Sequence, residues 1–437
     1  MKPWLTQLPA DAASRLQQLG HADIVVGIPS YNNARTIGHV VQAVQVGLAK
    51  YFPAARAVIV NSDGGSSDGT PDIVRTLRMP DVEVVLTAHP ETPVHKMSVP
   101  YHGIPGKGSA FRFIFQAADC LEADACAVVD ADLRSITPEW VQLLLAPILL
   151  QHYDYVAPFY LRHKYDGTIT NSIVYPLTRA LYGHRVRQPI GGDFGVASRL
   201  TAHFLSRDVW ESDVARFGVD IWMTTTAISE GFRVCQSFLG AKLHDAKDPG
   251  TDLSEMLVQV VGTLFRLMET YEPVWSGVHG SRETPLIGFP FAVGLEPVNV
   301  DVERMFAHFR RGVENLADVW RPVISPDDLS RLTCLAAEPV CHFHLDDDLW
   351  VRIVYDFGAA FHHRVIDRGH LMRSMLPLYL GRVASFVRDV ATGDAADVEQ
   401  RLEHLCVAFE SQKDRLRRRW METPRAEMRE DACGTQS

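Results

Sequence analysis

Two aspartates one residue apart, Asp130 and Asp132, follow the small apolar run Cys126–Val129. Such a run reads as a buried strand, and a carboxylate at its end is costly to bury unless something pairs with it. If the strand breaks there, both carboxylates can converge on a hard divalent cation, which prefers oxygen ligands. An exposed turn or a helix N-cap would use the same spacing, and Asp-x-Asp alone does not separate these readings. Thr137 and Pro138 then read as the cap and first position of a helix. A further potential ligand is His244 in "GAKLHDAKD", flanked by Lys242 and Asp245. The loop "IPGKGSA" (104–110) sets Lys107 between glycines just before a helix. That arrangement lets backbone amides and an ammonium approach phosphate oxygens, although it departs from the Walker spacing. A nucleoside diphosphate bridged by a metal ion to the aspartates would engage all of these groups.

The elements that must position them alternate. "DIVVGIPSY" (23–31), "ARAVIVNSD" (55–63), "DVEVVLTA" (81–88) and "ACAVVDADL" (125–133) read as strands. Segments 36–51 and 103–121, with a start at Thr70-Pro71, read as the intervening helices. Strands alternating with helices imply βαβ units and a mainly parallel sheet covered on both faces, with ligands beyond the carboxyl ends of the strands. The polar clusters Ser30-Tyr31-Asn32, Asn61-Ser62-Asp63 and Asp130/Asp132 all sit at such ends. From about residue 251 the pattern turns helical: 252–271, 301–320, 326–337, 346–364, 368–393 and 396–420, with a charged tail. We expect three parts: an N-terminal helical extension (1–22), an α/β catalytic domain (23–250) and a helical C-terminal region (251–437).

Bulk properties narrow the class. At 437 residues the chain exceeds what one hydrophobic core supports. A formal net charge of -10 argues against a general nucleic-acid binder. Seven scattered cysteines, never at metal-site spacing, suggest reduced thiols. The first twenty residues have no long apolar core and no other run reaches membrane-spanning length, so we expect a cytoplasmic protein without a membrane anchor.

The ordered set "VGIPSYNNARTIGHVV", "VNSDGGSSDGT", "GKGSA", "VVDADL", "QPIGGDFGV", "FGVDIWM" and "GAKLHDAKD" resembles the GT-A fold of nucleotide-sugar glycosyltransferases. Within it, the nearest likeness is to retaining enzymes of the glucosyl-3-phosphoglycerate synthase and mannosylglycerate or glucosylglycerate synthase group, over residues 23–250. The resemblance implies transfer of glucose from a nucleoside-diphosphate donor to D-glycerate or 3-phosphoglycerate, with Mg²⁺ or Mn²⁺, giving an α-glucosylglycerate-type compatible solute. It places Pro29, Tyr31, Asn33, Ser62 and Asp63 around the nucleoside, Lys107 on donor phosphate, and Asp130 on the ribose or sugar. Asp132 and His244 would bind the metal. The "QPIGGD" loop would lie beneath the donor sugar, with the Ile190 carbonyl toward the anomeric centre, and Asp220 would meet sugar hydroxyls or the acceptor. Gly167, Thr168 and Thr170 would hold the acceptor carboxylate, with Arg162 or Lys164 as further candidates. The family usually carries an acidic residue at the position of Asn33. Its phosphoglycerate-using members are expected to carry a base at that of Thr168, so the sequence points to unphosphorylated glycerate.

Other readings remain. An inverting enzyme on the same fold would use Asp193 or Asp220 as general base. A mannosyl donor, a nucleotidyltransferase, or a sugar-nucleotide-binding scaffold are further alternatives. The "HFHLDDD" run (342–348) reads as a loop or helix start rather than a second metal cluster. The amphipathic C-terminal segments exceed what one sheet face needs, so we expect a homo-oligomer.

Overall fold

The computed structural model describes residues 8, 10–77, 95–100 (as backbone), 106–244, 253–291 and 293–422. The strand expected over 81–88, residues 245–252 with Lys247, and the charged tail lie outside them.

The chain forms two compact units, residues 1–300 and 301–437. The division therefore falls later than residue 250. Helix Ser254–Thr270, expected in the C-terminal region, packs instead on the helix beginning at Val219 and on the turn at Thr170–Val174. Its buried stripe of Leu257, Val261, Leu264 and Phe265 belongs to the first unit's core.

In the first unit the strands β1 (Ile24–Ser30), β2 (Ala57–Asp63), β3 (His95–Pro100), β4 (Ala125–Val128), β5 (Tyr155–Leu161), β6 (Phe194–Ala197), β7 (Val234–Ala241) and β8 (Leu286–Ile287) make one sheet. Its order is β8-β7-β5-β6-β4-β1-β2-β3. Every pairing is parallel except those of β6, which runs antiparallel between β4 and β5. The helices are α1 (Ala10–Leu19), α2 (Ile37–Tyr51), α3 (Thr70–Thr76), α4 (Lys107–Cys120), α5 (Pro138–Gln151), α6 (Tyr175–Tyr182), α7 (Ser198–Leu205), α8 (Val219–Ser229) and α9 (Ser254–Thr270). The α/β expectation holds.

Period-2 alternation fills both faces. Val26 and Ile28 of β1 join Val40 and Val44 of α2 and Trp140 and Leu144 of α5 on one side. On the other, Gly27 faces α4 so closely that a Cβ would run into Ile114. Helix α5 begins at Pro138 after Thr137, as the sequence suggested, although the threonine side chain makes no capping hydrogen bond.

The second unit is helical: α10 (Val302–Trp320), α11 (Pro326–Ala337), α12 (Asp347–His363), α13 (Arg368–Ser374), α14 (Leu376–Asp389), α15 (Ala395–Ser411) and α16 (Lys413–Met421). The helix expected over 368–393 is broken after Ser374, where Pro377 enters the first turn of α14. That expected over 396–420 breaks at Gln412. The "HFHLDDD" run is a helix start: Asp346 caps α12 through Leu349 N, and Asp347 pairs with Arg382 and Arg401. No helix among the described residues is long and apolar enough to cross a membrane. None of the six described cysteines is in a disulfide.

Candidate functional site

A cavity of about 740 Å³ opens at the carboxyl ends of the parallel strands. The segments that line it lead out of or into a strand, or lie near the start of a helix. Pro29 and Ser30 end β1, Gly64 and Gly65 follow β2, Asp130 and Asp132 follow β4, and Lys242 and His244 follow β7. Because β6 is antiparallel, its entry rather than its exit lies at this edge. Ile190–Asp193 are thereby set beside Asp130, with Phe194 in register with Val128.

Two lysines occupy Asp130. Lys107 Nζ, at the first position of α4, lies 2.8 Å from Oδ1 and 3.3 Å from Asp220 Oδ2. Lys242 Nζ lies 2.7 Å from Asp130 Oδ2 and 2.8 Å from Asp193 Oδ2. Burial opposes charge on all five groups, and the outcome differs with the neighbours. The two ammonium groups overcome it at Asp130, whose pKa is held below the usual carboxylate range. At Asp193 and Asp220 desolvation dominates and the pKa is raised. Lys107 and Lys242 are both raised, because the carboxylates around them outweigh burial. Asp220 Oδ1 is buried with no hydrogen-bond partner, and its residue lines the cavity. Among the described residues it is the one carboxylate oxygen so left.

Glycines make these approaches possible. Gly192 has φ +91°, and a Cβ there would collide with the Asp130 carboxylate. A Cβ on Gly108 would collide with the carbonyl of Val214, so α4 can begin against the 213–216 turn only with glycine at that position.

Of the residues singled out from sequence, Pro29, Tyr31, Asn33, Lys107, Asp130, Asp132, Gly167, Thr168, Thr170, Ile190, Asp220 and His244 line this one cavity. Three do not. Asp63 is buried and holds the β2 loop, accepting from Ser30 Oγ at 3.0 Å and from Gly65 N and Ser66 N at 2.9 and 2.8 Å. Ser62 is wholly buried on the strand between them. Asp193 is 0% exposed and is taken up by Asp130 N, Lys242 and the Tyr160 hydroxyl, so it is not placed to act as a base on a bound substrate. The expected convergence of both aspartates on a cation is likewise not what forms. Asp130 pairs with lysines and Asp132 alone faces the cavity with its ligating capacity unengaged by them.

Sequence reasoning gave no role to Asp166. It sits 3.6 Å from His244 Nε2 and 3.4 Å from Arg162 Nη1, and accepts from Gly167 N at 2.7 Å. Desolvation would raise its pKa, but His244 and Arg162 hold it below the usual range. Sequence reasoning also missed an apolar wall of Leu253, Met256 and Val260 from the start of α9, with half-exposed Phe217 beside it. Its signal was a helical stripe in a segment assigned to another domain.

Asp132 and His244 bring one carboxylate and one imidazole to the cavity, donors that a divalent cation such as Mn²⁺ or Mg²⁺ can take. No group of three or more His, Cys, Asp or Glu side chains able to hold a metal occurs among the described residues.

No family model and no curated protein matches this chain. Among solved structures it is similar to glucosyl-3-phosphoglycerate synthase from Mycobacterium tuberculosis. The complex with Mn²⁺, UDP and glucosyl-3-phosphoglycerate is 20% identical over 59% of this chain and 84% of that chain, with a TM-score of 0.42. The complex of the same enzyme with Mg²⁺ and UDP is 20% identical over 59% of this chain and 83% of that one, with a TM-score of 0.41. The likeness is loose, and the chemistry proposed next rests on this chain's own residues.

Proposed function

We propose that the cavity binds a nucleoside-diphosphate sugar and transfers its hexosyl group to a small hydroxy acid, with retention of configuration. The observation that carries this reading is convergence. Motifs spread from Pro29 to His244 meet in one cavity at the carboxyl ends of the strands, where such sheets take nucleotide ligands.

Each residue then has a task. Pro29, Tyr31 and Asn33, with Gly64 and Gly65, would receive the nucleoside. Lys107, at the start of α4, adds its ammonium to the positive end of that helix where diphosphate charge grows on departure. Asp132 and His244 would hold the divalent ion, which when bound supplies further charge neutralisation at the leaving diphosphate. Asp220, with its free buried oxygen, would accept a hydrogen bond from a sugar or acceptor hydroxyl. Thr168, Thr170 and the Gly167 amide would hold the acceptor carboxylate beside Arg162.

Glucose as the sugar and unphosphorylated D-glycerate as the acceptor are part of this proposal. Among the described residues lining the cavity, the carboxylates of Asp130, Asp132, Asp166 and Asp220 outnumber the cations Lys107, Lys242 and Arg162, and each of those cations already has a carboxylate partner. A phosphorylated acceptor would add charge that this lining is poorly stocked to neutralise.

A second reading has one specific support. The raised pKa and unpartnered oxygen of Asp220 suit a general base in an inverting transfer. The deciding experiment incubates the protein and Mg²⁺ or Mn²⁺ with UDP-, GDP- and ADP-linked glucose and mannose, each with D-glycerate or 3-phosphoglycerate. NMR then reads the anomer of the product. An α-glucosyl product from an α-linked donor supports retention and a β product supports Asp220 as base. The absence of any transfer across the panel refutes the glycosyltransferase reading.

A further inference from the structure

Lys242 was noted in the sequence only as a neighbour of His244. In the structure it is 5% exposed, and its three N–H groups each have an acceptor: Asp130 Oδ2 at 2.7 Å, Asp193 Oδ2 at 2.8 Å and the Gly191 carbonyl at 2.7 Å. Its ammonium also lies 5.1 Å from the centre of the Tyr160 ring, and the Tyr160 hydroxyl donates to Asp193. Asp193 in turn receives the backbone N–H of Asp130 at 2.8 Å. One side chain thus fastens the ends of β4, β5, β6 and β7 to one another. Although Lys242 borders the cavity, all of its donors are engaged by protein, so none is left over for a ligand in this arrangement.

A buried ammonium is expensive to desolvate, and an apolar side chain of similar volume would often serve stability as well. What an apolar residue cannot do is hold a carbonyl. Lys242 fixes the Gly191 carbonyl, and with it the turn Ile190–Gly192, against Asp130, the same carboxylate that holds Lys107. Gly192 lies so close to Asp130 that the turn cannot sit in this place with a Cβ at that position.

We propose that Lys242 is a positioning residue. It sets the Ile190–Gly192 turn at a fixed distance from Lys107, and so fixes where a donor sugar lies relative to its diphosphate. The proposal rests on the nucleotide-sugar reading for its catalytic consequence, but the pinning of the turn is independent of it.

The test combines amide hydrogen exchange with kinetics on Lys242→Met and Lys242→Arg. In Lys242→Met, exchange in peptides covering 188–194 should rise about tenfold while those of β1 and β2 stay as in the parent. With the donor and acceptor that the parent uses, kcat should fall about 10- to 100-fold with donor KM within about threefold, and Lys242→Arg should recover part of the loss. A side chain that served only to stabilise the fold would instead lower Tm without this split between kcat and KM. Unchanged exchange at 188–194 overturns the proposal, as does a kcat/KM loss carried entirely by KM. If the parent transfers no sugar, the nucleotide-sugar reading fails while the exchange result still decides the pin. Should Lys242→Met not fold, Asp193→Asn, which removes the charge of one of its two carboxylate acceptors, must loosen the same peptides.

Discussion

Both units of this protein bury carboxylates against cations, but the first sets lysines among them at its cavity. In the helical unit the partners are arginines. Asp347 lies between Arg382 and Arg401, Asp356 between Arg415 and Arg419, and Asp328 pairs with Arg352 and Arg415. A planar guanidinium has several donors in fixed directions, so one side chain can join two carboxylates from different helices. These clusters tie α11, α12, α14, α15 and α16 together. In the α/β unit arginines serve as well, Arg162 on Asp166 and Arg199 on Asp154, but Asp130 in the cavity is held by Lys107 and Lys242, compact charges on flexible stems, and one oxygen of Asp220 is left without a partner. The arginine clusters lock helices, whereas under the proposed function Lys107 would exchange a carboxylate for an arriving phosphate. The lesson is that buried charge alone does not mark a site. The unfilled acceptor and the redirectable cation do.

The largest effect should come from the cavity. Asp132→Ala and His244→Ala are expected to lower turnover by about 10²–10³-fold each, and chelation of divalent ions should do the same to the parent. Tm of both variants should stay near that of the parent, since neither residue is part of the lysine-braced cluster. Full turnover in a chelator would remove the metal assignment.

In the helical unit the effect should be on stability. Asp347→Ala leaves Arg382, which is 1% exposed, without its carboxylate, and should destabilise by about 3–5 kcal/mol in denaturant unfolding. Replacing Asp347, Arg382 and Arg401 together with apolar residues of similar volume should restore most of that loss. If the triple variant is as unstable as the single one, the arginine cluster does more than staple helices.

The pH dependence should separate the two regions. Asp220 has a raised pKa, chiefly from burial, so the acid limb of kcat should lie above the ordinary carboxylate range, and Asp220→Asn should abolish that limb. Asp347 behaves oppositely: burial opposes its charge, but Arg401 and Arg382 prevail and depress its pKa. Its stabilising contribution is therefore present above its unfolded value, about 3.9, and is lost as pH falls through the lower folded value. Thermal unfolding of the parent against Asp347→Asn should show a gap that is constant above about pH 5 and closes in stronger acid. A gap that persists unchanged to pH 2 would contradict the pairing.

The smallest effect concerns the acceptor. Thr168→Arg would add a cation beside Thr170 and Gly167 and is expected to shift kcat/KM about tenfold toward 3-phosphoglycerate relative to D-glycerate. A parent enzyme that already prefers the phosphorylated acceptor would show that Arg162 or another cation reaches the phosphate.

Much of this was legible in the residues. Alternating apolar runs specify strands, helical stripes specify helices, and glycine or aspartate at a strand end marks the ligand edge, because these are local consequences of side-chain periodicity and backbone freedom. On that basis the parallel sheet, the helical second unit and the cavity residues Tyr31, Lys107, Asp130, Asp132 and His244 were named from sequence, whereas Pro29, Asn33, Gly167, Thr168, Thr170, Ile190 and Asp220 came only through the family resemblance. Three things were not. Helix α9 carries an apolar stripe that suits either unit equally, so only packing assigned it to the first and gave the cavity its Leu253, Met256 and Val260 wall. Asp63 and Asp193 look like Asp130 in sequence, since a carboxylate at a strand end reads the same whether its oxygens face a cavity or are already bonded to loop amides and lysine. Lys242 was unremarkable until the antiparallel placement of β6 brought Gly191 and Asp193 within 2.7 and 2.8 Å of it. Residue type and spacing along the chain determine which elements form and which chemistry is on hand. Which carboxylate is left with a free oxygen depends on partners as far as 113 positions away, and only the folded chain supplies those.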